Sequence, residues 1–139
     1  MKLLLVEDNA DARRSLALLL KLVGHEVVVA ENGHTAIAAA AERAPDVALI
    51  DIGLPDCDGY QVARHIRQAC KNRVYLVALT GYSQPEDRQR ALDSGFDTHL
   101  VKPVDFKVLR KLLSDAAVQR LCGPGAGSPP AGAPFSPDQ

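Results

Sequence analysis

The chain has 139 residues, of which 47% are hydrophobic and 24% are charged, and its formal net charge is −1. This length suits one domain with its own core. The near-neutral charge, without a cluster of lysines and arginines, argues against a nucleic-acid partner or an anionic membrane surface.

The first apolar stretch, residues 3–6, is too short for a signal peptide or a membrane span. We therefore expect a cytoplasmic domain without direct membrane contact, although a longer parent chain can carry an anchor elsewhere. The cysteines at positions 57, 70 and 122 are odd in number and lack a Cys-x-x-Cys spacing. They imply neither a disulfide framework nor a zinc site, which fits a reducing compartment.

Apolar, β-branched runs alternate with helical patterns along the chain. We predict strands over residues 2–7, 26–30, 46–51, 74–79 and 98–101, and helices over 10–23, 33–43, 58–69, 84–94 and 105–121. Strict alternation of this kind predicts a parallel sheet with helices on both faces. Gly24 and Gly95 follow the last turns of two predicted helices, where a left-handed backbone is common.

The last part of the chain differs in composition from the rest. Residues 123–139 contain five of the nine prolines and almost no apolar bulk. Such a segment cannot bury enough surface to offset its chain entropy. We therefore predict a folded domain over residues 1–122 and a disordered tail over 123–139.

The first helix has two apolar sides. Four residues at helical spacing are predicted to face the sheet: Leu16, Leu19, Leu20 and Val23. Leu18 and Leu22, one turn apart, then lie on the opposite side. They either form a docking stripe for a partner helix or belong to the apolar area that every folded surface carries.

Five polar residues that can perform phosphoryl chemistry end the predicted strands. They are three acids, a hydroxyl and a lysine: Glu7, Asp8, Asp51, Thr80 and Lys102. In an open α/β sheet, ligands bind at the carboxyl ends of the strands, so these side chains should converge. Three carboxylates together repel one another and must take up protons or hold a cation, and all-oxygen ligation favours Mg²⁺.

Asp51 ends a buried apolar run and is the predicted acceptor of a phosphoryl group. Transfer needs mainly positioning and charge stabilisation, which the metal and the Lys102 ammonium supply, while the Thr80 hydroxyl can donate to another phosphoryl oxygen. Each residue also has an ordinary alternative as a capping acid, a turn residue or a surface cation. The chemical interpretation depends on the whole set.

From about residue 2 to residue 121 the chain resembles the receiver domains of response regulators. The matching motifs stand in the family's order and spacing: Glu7-Asp8, Asp51 followed by Pro55 and Gly59, Thr80-Gly81, and Lys102-Pro103. The resemblance implies an α/β fold of the flavodoxin-like (βα)5 type, a doubly wound parallel sheet with strand order 2-1-3-4-5. It also implies a place in two-component signalling.

By this resemblance Asp51 would be the phosphoacceptor, and the domain itself would catalyse transfer from a phosphohistidine of a histidine kinase or a histidine phosphotransfer protein. Asp8, Asp51 and the Gly53 carbonyl would ligate Mg²⁺, and Glu7 would act largely through metal-bound water. The Lys102–Pro103 peptide bond would be cis.

The resemblance places a conformational switch at Thr80 and at the residue three positions before Lys102. Relatives have Tyr or Phe at the second position, where this chain has His99. His99 either turns inward together with Thr80 or is an exposed histidine on the last strand.

Residues 78–82 and 95–103 also resemble the receivers of hybrid sensor histidine kinases, often found at the C-terminus of those proteins. We expect such a C-terminal receiver, with a stand-alone response regulator as the alternative. By resemblance, kinases or phosphotransfer proteins dock on the first helix, near Leu18 and Leu22, and on the loop at Pro103. The charged fourth helix is compatible with a weak homodimer or with ordinary solvation.

Three other functions fit the sequence less well. An aspartate-nucleophile phosphatase would need an acid two residues after Asp51, where Gly53 stands. A flavodoxin-like nucleotide or flavin site would need a phosphate-binding loop after the first strand, but residues 7–9 place negative charge there. A degenerate receiver that only binds proteins would lack one or more of the acids, the threonine and the lysine, and all of them are present.

Overall fold

A computed structural model of the protein describes residues 1–56, 58–70, 74–81 and 85–121, with the backbone alone for 85–88 and 117–121. Strands and helices alternate strictly. They are β1 (Lys2–Val6), α1 (Ala10–Leu22), β2 (Glu26–Ala30), α2 (Gly33–Arg43), β3 (Val47–Asp51), α3 (Gly59–Cys70), β4 (Tyr75–Thr80), α4 (Pro85–Asp93), β5 (Thr98–Val101) and α5 (Phe106–Leu121). The predicted alternation is confirmed, and every predicted end lies within one residue of the observed one. The tail predicted over residues 123–139 lies outside the described residues.

The five strands form one parallel sheet in the order β2-β1-β3-β4-β5, as the resemblance implied. β1 lies between β2 and β3, with Val6 paired to Ala30 on one side and to Ile50 on the other. β3 pairs in turn with β4, so that Asp51 lies beside Leu79. The carboxyl ends of β1 and β3 are therefore neighbours in the middle of the sheet.

Successive side chains of the central strands enter two cores on opposite faces of the sheet. Leu3 and Leu5 pack with α1 and α5, whereas Leu4 and Val6 pack with α2 and α3. Side chains alternate along a strand, so a strand covered on both faces needs apolar residues at every position. This requirement explains the continuous apolar run of β1.

The predicted core face of α1 is partly wrong. Leu20 is fully buried, but Leu19 is 42% exposed and Val23 is 37% exposed. α1 packs on β1 and β2, and β2 is an edge strand of the sheet that the described residues form, so only a narrow stripe of the helix is covered. Leu18 and Leu22 are 59% and 72% exposed, which confirms that they face outward.

Gly24 and Gly95 follow α1 and α4 with φ angles of +97° and +101°, the left-handed backbone that their positions predicted. Cys70 is a buried thiol at the end of α3, where its Sγ donates to the Ala40 carbonyl at 3.8 Å, and the other two cysteines lie outside the described residues. Within the described ranges, no helix combines the length and apolar character that a membrane crossing requires.

Arg67 joins α3 to the amino ends of β4 and β5. Its guanidinium donates to the carbonyl oxygens of Val74 at 2.8 Å and Gly95 at 2.6 Å, and to the Asp97 carboxylate at 2.9 Å. The same Asp97 oxygen accepts the backbone N–H of Leu76 at 2.8 Å. This network fastens one end of the sheet to the helix that covers it.

Candidate functional site

Three acids meet at the carboxyl ends of the central strands. One oxygen from each of Glu7, Asp8 and Asp51 lies within 4.8 Å of the other two. Glu7 and Asp51 are buried, with 5% and 6% of their surface exposed, while Asp8 is exposed. Glu7 and Asp8 follow β1 and Asp51 ends β3, so the adjacency of these two strands creates the cluster.

Lys102 reaches this cluster from the end of β5. Its ammonium donates to Glu7 Oε1 at 2.9 Å and lies 3.0 Å from Asp51 Oδ2. The Lys102 backbone N–H donates to the carbonyl of Thr80 at 2.7 Å, so the end of β5 is fixed to the end of β4. The flexible lysine side chain then extends past β4 toward β1 and β3.

The two buried carboxylates have opposite pKa shifts. Burial raises the pKa of Glu7, and its hydrogen bonds with Lys102 and Asn9 oppose this without cancelling it. Burial also acts to raise the pKa of Asp51, but hydrogen bonds from Glu7, Lys102 and Gly53 outweigh it and leave that pKa below its usual value. Asp51 is therefore the carboxylate that remains ionised, and Glu7 is the one that takes up a proton more readily.

Lys102 is held in its charged form by the same contacts. Burial lowers its pKa, but hydrogen bonds to Glu7 and Asp51 are stronger and raise it above the ordinary value. Among the residues that the structure describes, the cluster thus has one ammonium against three acids. The excess negative charge favours a second cation.

Backbone groups fix the orientation of the acids. The Asn9 N–H donates to Glu7 Oε2 at 3.2 Å, and the Gly53 N–H donates to Asp51 Oδ1 at 3.1 Å. Asn9 is also the N-cap of α1 and accepts the N–H of Ala12. The loop after β1 is therefore held to the helix that follows it.

Arg13 supports the same loop and was not predicted. Its guanidinium donates to the Glu7 carbonyl at 2.8 Å and lies 3.9 Å from the Glu31 carboxylate. Arginine in the second turn of a helix is too common a residue for sequence alone to assign this contact.

Two glycines leave different amounts of space around Asp51. A Cβ atom on Gly59 would lie 2.7 Å from both the Asp51 carbonyl oxygen and the Ile52 Cα, closer than packed atoms approach. A Cβ on Gly53 would lie 3.9 Å from Asp51 Oδ1, an ordinary contact distance. Gly59 is therefore required by packing, whereas a Cβ at position 53 would not clash with the Asp51 carboxylate.

Thr80 and His99 lie on neighbouring strands and are both buried, at 7% and 9% exposure. His99 pairs with Ala78, and Thr80 pairs with Val101. The alternative that His99 is an exposed surface residue is therefore wrong. The Lys102–Pro103 peptide bond is cis, as the resemblance implied.

The predicted docking residues lie apart from the acids along α1. Counted from Ala10, at the start of that helix, Leu18 and Leu22 are displaced by about 12 Å and about 18 Å along the axis. Pro103 is exposed directly after Lys102. The structure thus brings the four charged site residues together and leaves the two leucines at a distance.

The predicted dimer surface includes α4, of which Arg90 has partners within the chain. Its guanidinium lies 4.3 Å from the ring centre of Tyr60 and 3.3 Å from the Asp58 carboxylate. The side chains of residues 85–88 lie outside the described part of the chain, so the weak homodimer stays a prediction.

The donor set suits a small, hard divalent cation. Carboxylate oxygens are the ligands that Mg²⁺ prefers, and an incomplete protein cage leaves positions for water and for a phosphoryl oxygen. The exposed Asp8 opens the cluster to solvent, while Glu7 and Asp51 form its buried base. The residues present fit the metal that the sequence predicted.

Comparison with known proteins gives the class to which this fold and site belong. Residues 3–114 match the model of the response regulator receiver domain. This match covers most of the sequence, and the chain belongs to that family.

Individual relatives differ in how much of their length the chain covers. It is 36% identical to an uncharacterized 14.6 kDa protein in the sodA1 3′ region of Leptolyngbya boryana, over 88% of this chain and 90% of that protein. It is 34% identical to the virulence sensor protein BvgS of Bordetella bronchiseptica over 99% of this chain, but it spans only 12% of that protein.

Among solved structures, this chain resembles a chain of the co-crystal structure that contains the Saccharomyces cerevisiae histidine phosphotransfer signaling protein Ypd1 and the receiver domain of its downstream response regulator Ssk1. The TM-score is 0.81 at 27% identity, over 86% of this chain and 90% of the other. This structural similarity agrees with the fold described above.

Proposed function

We propose that this receiver domain accepts a phosphoryl group on Asp51 from a phosphohistidine. The observation that carries the proposal is the Lys102 ammonium lying 3.0 Å from Asp51 Oδ2 and donating to Glu7 at 2.9 Å, beside the open Asp8 carboxylate. An ionised carboxylate at the base of this cluster is a nucleophile with a cation ready to receive the charge of the incoming phosphoryl oxygens.

In the proposed step, an Asp51 carboxylate oxygen forms a bond to phosphorus while the bond between phosphorus and the imidazole nitrogen breaks. The imidazole leaves with the electron pair and later takes up a proton, and Asp51 becomes an acyl phosphate. Lys102 moves from Asp51 to a phosphoryl oxygen, and the Thr80 hydroxyl donates to another. Because Asp51 is ionised before the reaction, no general base is needed.

Mg²⁺ would be held by Asp8, Asp51 and the Gly53 carbonyl, with Glu7 acting through metal-bound water. When bound, it would neutralise charge between the anionic acceptor and the anionic phosphoryl group. The cluster of three acids supports this assignment.

For the parent protein, we infer a hybrid sensor histidine kinase with this chain as its receiver. Support comes from the match to BvgS and to the sensor histidine kinase RcsC of Salmonella typhimurium, at 35% identity over 82% of this chain and 12% of that protein. The second candidate is a stand-alone regulator, which the near full-length match to the Leptolyngbya boryana protein favours. In either case the cysteine pattern supports a reducing, cytoplasmic compartment.

A phosphatase remains the weaker alternative. The position two residues after Asp51 is Gly53, which has no side chain to protonate a leaving group or activate water. Steady turnover of a phosphomonoester would support the phosphatase instead.

The test is phosphorylation by acetyl phosphate with Mg²⁺, followed by intact-mass measurement and peptide mapping. The wild type should gain one phosphoryl group at Asp51, and both EDTA and the Asp51→Asn substitution should prevent it. Modification at another residue, or modification that persists in the Asp51→Asn variant, would refute the proposal. Short-time transfer from purified phosphorylated kinases would then identify the donor.

We also propose that the partner docks on α1 and at Pro103. The exposed side chains of Leu18 and Leu22 support this role, because an amphipathic partner helix can bury them. The double substitution Leu18→Glu with Leu22→Glu should slow transfer from the kinase and leave modification by acetyl phosphate unchanged. Val29→Glu is a matched control, since Val29 is also an exposed aliphatic residue, at 46%, but lies on β2. Equal transfer rates in all three proteins would remove the hypothesis.

We propose further that His99 moves together with Thr80 when Asp51 is phosphorylated. Its burial on the strand next to β4 supports a coupled movement. Histidine NMR titrations with and without beryllofluoride test this role, and superimposable His99 curves would contradict it.

A further inference from the structure

The loop between β3 and α3 follows directly after the proposed phosphoacceptor and contains Gly53. Hydrogen bonds fasten its two ends: the Ile52 N–H donates to Leu79 at 3.0 Å, and the Gly59 N–H donates to Ile52 at 3.0 Å. The middle of the loop is fastened by Asp56. Its two carboxylate oxygens accept the backbone N–H groups of the first two residues of α2, Gly33 at 2.8 Å and His34 at 2.9 Å.

The two hydrogen bonds from the start of α2 to the Asp56 carboxylate are favoured by the geometry and charge of a helix N-terminus. The first N–H groups of a helix have no partner within the helix, and the helix dipole favours an anion at this end. A carboxylate that takes one N–H on each oxygen satisfies both conditions, and hydrogen bonds to an ionised group are stronger than neutral ones. Asp56 therefore holds the loop to α2 across 22 to 23 residues of sequence.

α2 also has a cap of its own. Asn32 accepts the Thr35 N–H at 2.9 Å and occupies the N-cap position. α2 thus already has a local cap, and the contact of Asp56 adds a connection from its first residues to the loop between β3 and α3. Because two different acceptors serve the same helix start, one can be removed without the other.

The connection continues from α2 to the first acid of the site. Ala30 ends β2, and its carbonyl accepts the Glu7 N–H at 3.1 Å. The loop after β1 is therefore attached to the end of β2, and the loop after β3 is attached through Asp56 to the start of α2, three residues further along the chain. The short turn from β2 to α2 thus connects the loop that contains Gly53 with the loop that begins at Glu7.

We propose that Asp56 is a positioning residue for the divalent-cation site. By holding the loop to α2, it fixes the Gly53 carbonyl and the Asp51 carboxylate relative to Glu7 and Asp8. The proposal rests on the metal site of the proposed function, and it assigns Asp56 no contact with the metal or the phosphoryl group. Groups that orient metal ligands commonly change metal affinity by about tenfold or more when removed.

The test compares Asp56→Ala with Asn32→Ala. Each variant removes one accepting side chain from the start of α2, and urea denaturation measures the stability that each variant loses. Mg²⁺ affinity, measured by calorimetry without any phosphodonor, should fall about tenfold in Asp56→Ala. It should stay at the wild-type value in Asn32→Ala. Asp56→Asn keeps one acceptor oxygen and should fall between Asp56→Ala and the wild type.

Two further measurements exclude simpler explanations. Repeating the titrations at about 1 M salt, where the Debye length is about 3 Å, removes the contribution of a lost surface charge. Amide hydrogen exchange should accelerate at Gly33 and His34 in Asp56→Ala, which shows that the contact exists in solution. The dependence of the acetyl phosphate reaction on Mg²⁺ should show a raised half-saturating concentration with the same maximal rate.

Equal Mg²⁺ affinity in Asp56→Ala and the wild type would overturn the proposal. Equal weakening in Asp56→Ala and Asn32→Ala would also overturn it, because the effect would then be one of helix stability. A loss that disappears at high salt would reduce it to an effect of charge. Wild-type protein that binds Mg²⁺ but is not modified at Asp51 would refute the proposed function alone, and wild-type protein that binds no Mg²⁺ would refute both.

Discussion

Two cationic side chains serve opposite ends of the same sheet. At the amino ends of β4 and β5, Arg67 donates to two carbonyls and to Asp97, within 2.6 to 2.9 Å. At the carboxyl ends, Lys102 contacts Glu7 at 2.9 Å and Asp51 at 3.0 Å. Both networks are partly buried and both join distant parts of the chain.

The difference lies in what the cations meet. In the contacts described above, Arg67 meets the Asp97 carboxylate and two backbone carbonyls, so one positive charge is matched by one negative charge. Lys102 faces two carboxylates, with Asp8 beside them, so negative charge exceeds positive charge. A charge-matched network stabilises the fold, whereas an excess of one sign leaves capacity to bind an ion. Charge balance, and not the presence of charge at a strand end, separates the two.

The largest expected difference is in the rate of phosphoryl transfer. Lys102→Met should lower the initial rate of modification by acetyl phosphate about 100-fold or more, because a preorganised charge at the phosphoryl oxygens is lost. Arg67→Met should keep the wild-type rate once corrected for the folded fraction. Gel-shift or mass measurements at saturating Mg²⁺ check both. A similar rate loss in the two variants would show that Lys102 has no more direct a role in phosphoryl transfer than Arg67 has.

The second difference is in the free energy of unfolding, for which the Arg67 variant should lose more than the Lys102 variant. Arg67→Met removes one donor each from Asp97, the Val74 carbonyl and the Gly95 carbonyl, and should lower the free energy of unfolding by about 2–3 kcal/mol. Lys102→Met should cost less, because Glu7, whose pKa burial already raises, can take up a proton when the ammonium is removed. Urea denaturation at neutral pH checks the order. A larger loss in Lys102→Met would mean that the site also stabilises the fold.

The smallest effect concerns the pH dependence of stability in metal-free protein. Because burial raises the pKa of Glu7, the folded state holds this proton more tightly than the unfolded chain does. The stabilisation that comes from binding this proton is fully present below the ordinary glutamate pKa of 4.5, and it is lost as the pH rises through the pKa of Glu7 in the folded state. Glu7→Gln should therefore be more stable than the wild type at neutral pH, and the two should converge toward pH 4.

Urea denaturation in EDTA measures this difference. Added Mg²⁺ should reduce or reverse it, because the metal stabilises the folded wild type. Equal stability at neutral pH without metal would show that the Glu7 carboxylate carries no penalty for burial.

Sequence was sufficient for the fold and for the charged part of the site. Apolar runs on strands buried on both faces, each ending in a polar residue, locate Asp51, Thr80 and Lys102 without further information. Gly24 and Gly95 mark helix ends because few other residues adopt a positive φ. These features depend on local backbone preferences and on the topology of parallel sheets.

Sequence was insufficient where the outcome depends on what a neighbouring element covers. Leu19 and Val23 have the spacing of a core face, yet β2 ends the sheet and leaves them half exposed. His99 carries no sign of burial in its residue type, yet only 9% of it is exposed on β5. Asp56 contacts the start of α2 from 22 to 23 residues away, and Arg67 contacts Gly95 and Asp97 from 28 and 30 residues away. Nothing in the intervening sequence predicts those contacts.

Gly59 shows how a residue without a functional group can limit variation at a reactive one. A methyl group there would lie 2.7 Å from the backbone oxygen of Asp51. In a library of all single substitutions selected for signalling, position 59 should therefore be nearly as intolerant as position 51, even to alanine. Selection would then retain glycine at position 59 because it has no side chain, since the Asp51 carboxylate keeps its position only where that volume stays empty.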